Sequence, residues 1–234
     1  MNVKYQIKRM ARSALVPLLY RYPPFTLLPE RLYLFLHHLV QTKDVSGAVV
    51  EIGCNLGGTA VIARKMLDRL KIDKPYVCID TFDGFVDEHF AQDVALGTPA
   101  EDQTLFSGNS RDLVAKIIRR HRCGSVELVQ GDVATMPDRL LPSSCSVVLL
   151  DVDLIEPTYV ALTRFWPRLS EGGVILVDDC QEGASWKARI AYSRFCQEHS
   201  IPERYHYGMG ILTRGGEASE KVHSAALQGA PGGD

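Results

Sequence analysis

Short apolar runs alternate with helix-like patterns through most of this 234-residue chain, and that alternation limits the folds open to it. The predicted strands are 48–52, 76–79, 125–130, 146–150 and 172–177, with a closing antiparallel pair at 205–207 and 210–213. The predicted helices between them are 59–70, 110–121, 156–168 and 185–199. This order is typical of an α/β fold in which helices cover both faces of a mostly parallel sheet. We therefore predict a doubly wound, seven-stranded Rossmann-like sheet.

The chain divides into three predicted parts. Residues 1–44 read as two helices that would cap the sheet, and residues 45–214 form the main domain. Residues 215–234 are rich in Gly, Ala and Ser, which predicts a disordered tail. Within the main domain, residues 81–107 are polar and show little periodicity, as expected of a lid or a substrate loop.

Composition narrows the classes of protein and partner. A net charge of −2 gives no reason to expect nucleic acid as a partner. The six cysteines form no Cys-x-x-Cys pair, which favours reduced thiols and a cytoplasmic location. We see no secretory signal and expect no transmembrane segment. An early apolar helix could serve as a lid or join copies of the chain into a homo-oligomer through Leu32, Leu34, Phe35 and Leu39.

Carboxylates follow two of the predicted strands. Asp178 and Asp179 end the run 172–177, and Asp151 and Asp153 follow the run 146–150. Adjacent carboxylates repel each other, and burial raises their pKa values further. A divalent cation such as Mg²⁺ would resolve that conflict because it prefers oxygen ligands. The two clusters therefore predict one metal site at the carboxyl edge of the sheet.

A glycine-rich turn follows the first strand, in the sequence Glu-Ile-Gly-Cys-Asn-Leu-Gly-Gly-Thr at 51–59. It matches neither the Gly-x-Gly-x-x-Gly fingerprint nor a P-loop. The acidic Glu51 would repel a pyrophosphate, so the turn suits a cationic or hydroxyl-rich ligand, or is simply structural. Asp80 ends the second strand, where such folds often bind ribose hydroxyls. Asp132 follows the third strand and could meet an adenine edge or belong to a plain turn.

Four motifs in order carry a resemblance to a known family. They are the turn at 51–59, Asp-Thr-Phe-Asp-Gly-Phe at 80–85, Asp-Val-Asp-Leu-x-Glu-Pro-Thr at 151–158, and Leu-Ser-Glu-Gly-Gly-Val-Ile-Leu-Val-Asp-Asp at 169–179. Together they resemble class I S-adenosylmethionine-dependent methyltransferases, and more closely the macrocin O-methyltransferase family. That family methylates sugar hydroxyls of natural products, so the resemblance implies a small-molecule acceptor with a hydroxyl group.

The resemblance also implies roles for individual residues. S-adenosylmethionine would contact Glu51, Gly53, Asn55, Gly57, Thr59, Asp80, Thr81, Asp132 and Asp151. Mg²⁺ would be held by Asp151, Asp178 and Asp179, with Asp153 as the rival to Asp151. Asp151 and Asp153 are the predicted catalytic residues. The base that takes the hydroxyl proton stays open among Asp153, Glu156, Lys187 and His206.

Two other functions compete with this interpretation. Asp-x-Asp after a strand also marks metal-dependent glycosyltransferases, which would explain Asp151 and Asp153 but leave the glycine turn and Asp80 unused. A non-catalytic binding protein on the same fold would not need three metal carboxylates. The sequence departs from the family around 131–133 and at Ile155, which leaves the acceptor unidentified.

Overall fold

A seven-stranded sheet forms the centre of the protein, seen in a computed structural model that describes residues 3–215. In chain order the strands are β1 (Ala48–Ile52), β2 (Tyr76–Asp80), β3 (Glu127–Gln130), β4 (Cys145–Leu150), β5 (Leu169–Val177), β6 (Tyr205–His206) and β7 (Met209–Thr213). Their order across the sheet is β3-β2-β1-β4-β5-β7-β6. The first five strands are parallel, and β7 pairs antiparallel with both β5 and β6. The predicted doubly wound fold is confirmed.

Eight α-helices accompany the sheet within residues 3–215: α1 (Val3–Ala14), α2 (Val16–Leu19), α3 (Pro29–Gln41), α4 (Gly58–Leu70), α5 (Asp87–Val94), α6 (Arg111–His121), α7 (Ile155–Phe165) and α8 (Ala188–Glu198). Short 3-10 turns lie at Ala100–Thr104, Asp138–Leu140 and Trp166–Arg168. Within these residues, no helix combines the length and the apolar character that a membrane crossing requires.

Two apolar layers hold the helices to the sheet, one on each face. Successive residues of β1 point to opposite layers, so that Val50 packs with Phe165 and Phe195 while Val49 packs with Phe35 and Leu67. All five residues of β1 are buried, as expected for a strand covered on both faces. This burial explains why its sequence is almost continuously apolar.

The N-terminal region differs from the prediction of two helices because three helices occupy it. The chain leaves the helical conformation at Tyr20 and re-enters it only at Pro29, where proline suits the first turn. Three of the four apolar residues proposed for a lid or an interface, Leu34, Phe35 and Leu39, are buried in the protein's own core. Exposed apolar side chains occur instead on α1 and α2, including Met10 and Leu18.

Two other details correct the sequence prediction. Residues 81–107 contain α5 and a 3-10 turn, because Phe90 and Asp93 bury one face of a short helix that is otherwise mostly polar. Strand β5 begins at Leu169, three residues before the predicted start at 172, and Gly172 and Gly173 lie inside the strand. The predicted tail at 215–234 lies outside the described residues except for Gly215.

Candidate functional site

A cleft of about 800 Å³, including the part that opens to solvent, lies at the carboxyl ends of β1 to β4. This is the edge at which doubly wound folds bind ligands. Most of the predicted cofactor residues line it, namely Gly53, Asn55, Asp80, Thr81, Asp132 and Asp151. The structure therefore brings together residues that are up to 98 positions apart in sequence.

Gly53 allows the turn after β1 to approach the end of β4. A Cβ atom at this position would lie 1.8 Å from the carbonyl oxygen of Asp151. The residue also has a φ of +87°, which side chains disfavour. Any residue other than glycine would push these two loops apart and change the floor of the cleft.

Asp80 links the loop after β1 to the loop after β2 through hydrogen bonds. Its carboxylate accepts a hydrogen bond from the backbone N–H of Asn55 at 2.8 Å and another from Phe82 at 2.7 Å. Burial raises the pKa of Asp80, and the two backbone hydrogen bonds oppose that rise. Asn55 and Phe82 both have positive φ values, of 48° and 55°. Such strained backbone is common at functional sites and persists where the surrounding contacts enforce it.

Asp132 is held by a histidine that sequence reasoning missed. Its carboxylate accepts from the Ala134 N–H at 2.9 Å and the Thr135 hydroxyl at 3.1 Å, and lies 3.2 Å from Nε2 of His89. His89 belongs to α5 and lines the cleft. Its Nδ1 is buried without a hydrogen-bond partner among the described residues. No motif surrounds His89, so nothing in the sequence marked it.

Three predicted cofactor residues do not line the cleft. Gly57 and Thr59 lie at the start of α4, where Gly57 caps the helix with a φ of 74°. Glu51 lies inside β1, and its carboxylate accepts a hydrogen bond from the Tyr76 hydroxyl at 2.6 Å. Burial raises the pKa of Glu51 to about 8, with the Tyr76 hydrogen bond opposing and repulsion from Asp80 adding to the rise. Glu51 is thus mostly neutral at pH 7, and its cofactor role stays a prediction.

Three carboxylates converge beside the cleft. One oxygen from each of Asp151, Asp153 and Asp179 lies within 4.8 Å of the other two. Burial raises the pKa values of Asp151 and Asp153 well above the usual range, and repulsion from neighbouring carboxylates adds to the effect. Asp153 and Asp179 have φ values of 64° and 53°, a conformation that costs about 1–3 kcal/mol at each non-glycine residue. This concentration of oxygen donors fits a hard cation such as Mg²⁺.

Asp178 has a different partner from the one that the sequence suggested. Nη1 of Arg31, on α3, donates to Asp178 Oδ1 at 2.7 Å and to Asp179 Oδ1 at 2.8 Å. The Arg31 and Asp178 side chains are each only 7% exposed. The pKa of Asp178 is raised to about 6 by burial and by Asp179, while Arg31 opposes the rise. The predicted metal set of Asp151, Asp178 and Asp179 therefore stays a prediction, and the three carboxylates found within 4.8 Å of one another are Asp151, Asp153 and Asp179.

The candidate bases are distributed around this edge. Asp153 lies in the carboxylate cluster and lines the cleft. The backbone N–H of Lys187 donates to the Asp153 carbonyl at 3.1 Å. Glu156 lies in the first turn of α7, and His206 ends β6. Among the four candidates, Asp153 is the one whose side chain borders both the cleft and the acidic cluster.

The sheet order and the ligand cleft at its carboxyl edge define a class I methyltransferase fold. The model of the Macrocin-O-methyltransferase (TylF) family matches residues 32–206, which is about three quarters of the chain. The protein therefore belongs to the macrocin O-methyltransferase family, as its motifs predicted.

Individual relatives agree with this assignment. A demethyldecarbamoylnovobiocin O-methyltransferase from Streptomyces niveus is 28% identical over 145 residues, which are 58% of this chain and 54% of that protein. The chain thus aligns with about half the length of that relative. Among solved structures, the O-methyltransferase NovP has a TM-score of 0.63 at 21% identity over 80% of each chain. The calicheamicin methyltransferase CalS11 has a TM-score of 0.64 at 20% identity, covering 91% of this chain and 93% of its own. These two structures share the fold.

Proposed function

We propose that the protein transfers the methyl group of S-adenosylmethionine to a hydroxyl oxygen of a small natural product, with Mg²⁺ at the acidic edge. One observation carries the proposal: Asp151 and Asp153 belong both to the wall of the cleft and to the carboxylate cluster. A cofactor in the cleft and a cation at the carboxylates would therefore be neighbours. Family membership supports methyl transfer to oxygen, and it does not support the alternative of a glycosyltransferase.

The cleft residues suit the proposed cofactor. Gly53 leaves room for close approach to the backbone, and Asp80 lies where an acidic side chain can meet ribose hydroxyls. Asp132 and His89 offer polar atoms beside the Gly131 turn, where the resemblance places the adenine. No lysine or arginine is among the described residues that line the cleft, so it offers no side-chain cation for a phosphate, which agrees with a sulfonium cofactor.

The acidic cluster suits the proposed reaction at the acceptor. Methyl transfer needs the acceptor oxygen held in line with the methyl group, and positioning of this kind can supply about 7–11 kcal/mol of a barrier. A bound divalent ion would orient the hydroxyl and lower its pKa. Asp151 and Asp179 would hold the ion, with Asp153 or Asp178 as the third ligand. We assign proton removal to the Asp153 carboxylate if Asp178 is that ligand.

Binding of S-adenosylhomocysteine, measured by titration calorimetry, tests the cofactor half of the proposal. We expect specific binding that Asp80→Asn weakens. Asp44→Asn, which changes a carboxylate that is 90% exposed and lies before β1, should leave it unaltered. Binding of a sugar nucleotide in place of S-adenosylhomocysteine would contradict the proposal and support the alternative function of a glycosyltransferase.

A methyl-transfer assay tests the reaction half of the proposal. It measures transfer of the methyl group from radiolabelled S-adenosylmethionine to a panel of desmethyl glycosides. We expect incorporation that EDTA abolishes and Mg²⁺ restores. The panel follows from relatives that act on novobiocin and calicheamicin intermediates. Turnover that is indifferent to EDTA would refute the metal assignment while leaving the cofactor assignment in place.

A further inference from the structure

Arg31 is an unusual residue for the first turn of a helix, because it is 6% exposed. Arginine is almost never buried without partners. Here the guanidinium meets three acceptors: Nη1 binds Asp178 and Asp179, and Nε donates to the Tyr207 carbonyl at 3.2 Å. One side chain of the N-terminal region thus joins the loop after β5 to the turn between β6 and β7.

Asp178 and Asp179 both bind Arg31, but they differ in their relation to the carboxylate cluster. Asp179 lies in the carboxylate cluster with Asp151 and Asp153, whereas Asp178 does not. Asp178 is 6% exposed, and Arg31 is its ion-pair partner among the described residues. Both carboxylates accept a hydrogen bond from the same Nη1 atom of Arg31, at 2.7 and 2.8 Å. Arg31 therefore contacts the acidic cluster through Asp179.

The chain just before α3 covers the other half of the site. At Gly58, in the first turn of α4, an added Cβ would lie 2.2 Å from the carbonyl carbon of Pro24. Two residues further on, Thr26 lines the cleft. The segment 24–28 thus crosses the glycine-rich turn and then enters α3, whose first turn carries Arg31. The ion pair anchors one end of the segment that covers the cofactor cleft.

We propose that Arg31 is a positioning residue that pairs with Asp178 to seat α3 and segment 24–28 over the cofactor cleft. In this arrangement Asp178 is buried against Arg31, while Asp179 contacts both Arg31 and the carboxylate cluster. The proposal rests on the proposed function for the identity of the cofactor and of the metal. Arginine suits the position because its planar group serves three acceptors at once, which a lysine ammonium on this stem could not match.

A double-mutant cycle on S-adenosylhomocysteine affinity tests the proposal. Arg31→Met keeps the unbranched stem of the side chain and removes the guanidinium charge, and we expect it to weaken binding at least tenfold. Asp178→Asn should weaken binding similarly, and the double variant should bind no more weakly than Arg31→Met alone, because both changes break the same contact. Arg31→Lys should fall between wild type and Arg31→Met. Arg21→Met, at an exposed arginine between α2 and α3, is the matched control and should bind like wild type.

Two further readouts separate positioning from a general loss of fold and from metal ligation. Hydrogen exchange of residues 21–30 should rise in Arg31→Met while the amides of β1 and β4 stay protected. Calorimetric Mn²⁺ affinity should change less than threefold in Arg31→Met and fall at least tenfold in Asp179→Asn. Additive losses in the cycle, or a tenfold loss of Mn²⁺ affinity in Arg31→Met, would overturn the proposal. If wild type binds no S-adenosylhomocysteine, the proposed function itself fails.

Discussion

Glu51 should make the stability of the protein fall as pH rises through neutrality. Its carboxyl is buried in the central strand and has a pKa of about 8, whereas an unfolded glutamate titrates near 4.3. Between these values the folded protein keeps a proton that the unfolded chain has released. Raising the pH in this window therefore favours unfolding, by about 1.4 kcal/mol per pH unit at the steepest.

Glu51→Gln removes this dependence with little change in packing. The amide oxygen of the introduced glutamine can accept the Tyr76 hydrogen bond that the carboxylate accepts now. Relative to wild type, the variant should be more stable by about 1 kcal/mol at pH 5 and by about 4–5 kcal/mol at pH 8, from the same linkage. The stabilisation should therefore appear as a difference that grows with pH.

Urea unfolding curves at pH 5, 6, 7 and 8 measure that difference directly. Glu127→Gln makes the same chemical change at an exposed carboxylate on β3 and is the matched control. A flat difference for Glu51→Gln, or one that favours wild type as pH rises, would refute the assignment of a neutral Glu51. Either result would mean that the carboxylate is charged inside the strand.

Three further substitutions test the geometry of the cleft. Gly53→Ala should destabilise the protein by about 3 kcal/mol in urea unfolding, because the added Cβ would overlap the Asp151 carbonyl. An unchanged unfolding midpoint would contradict the close approach of the Gly53 and Asp151 backbones. Asp80→Asn should lower S-adenosylhomocysteine affinity about tenfold in calorimetry, since it weakens the hydrogen bonds from two loops, and equal affinity would remove Asp80 from the site. Gly58→Ala should lower stability by about 1–3 kcal/mol and weaken S-adenosylhomocysteine binding by displacing Pro24, and wild-type behaviour would show that segment 24–28 is loosely held.

The sequence predicted the sheet well because parallel strands that are buried on both faces appear in the sequence as nearly continuous apolar runs. The run at 48–52 is apolar except for Glu51, and its predicted bounds are those of β1. Residues at the carboxyl ends of strands were also predictable, because topology alone brings Gly53, Asp80, Asp132 and Asp151 to one edge. These positions depend on strand order and not on side-chain detail.

What the sequence did not predict depends on contacts between distant segments. Helix α5 is short and mostly polar, so no periodicity marked it, and His89 was missed with it. Arg31 lies 147 positions from Asp178, and no sequence motif around Arg31 indicates that it forms an ion pair. The repulsion between Asp178 and Asp179 suggested that a metal ion balances their charges. In the structure Arg31 of the same chain balances part of that charge.

Anomalous diffraction from crystals grown with Mn²⁺ and S-adenosylhomocysteine tests the central claim most directly. We predict one Mn²⁺ peak bound by oxygens of Asp151 and Asp179, with the nucleoside in the cleft and its ribose on Asp80. Arg31 should still contact Asp178 in that complex. A cofactor bound elsewhere, or no Mn²⁺ at these carboxylates when the cleft is filled, would contradict the account of a metal-assisted O-methyltransferase.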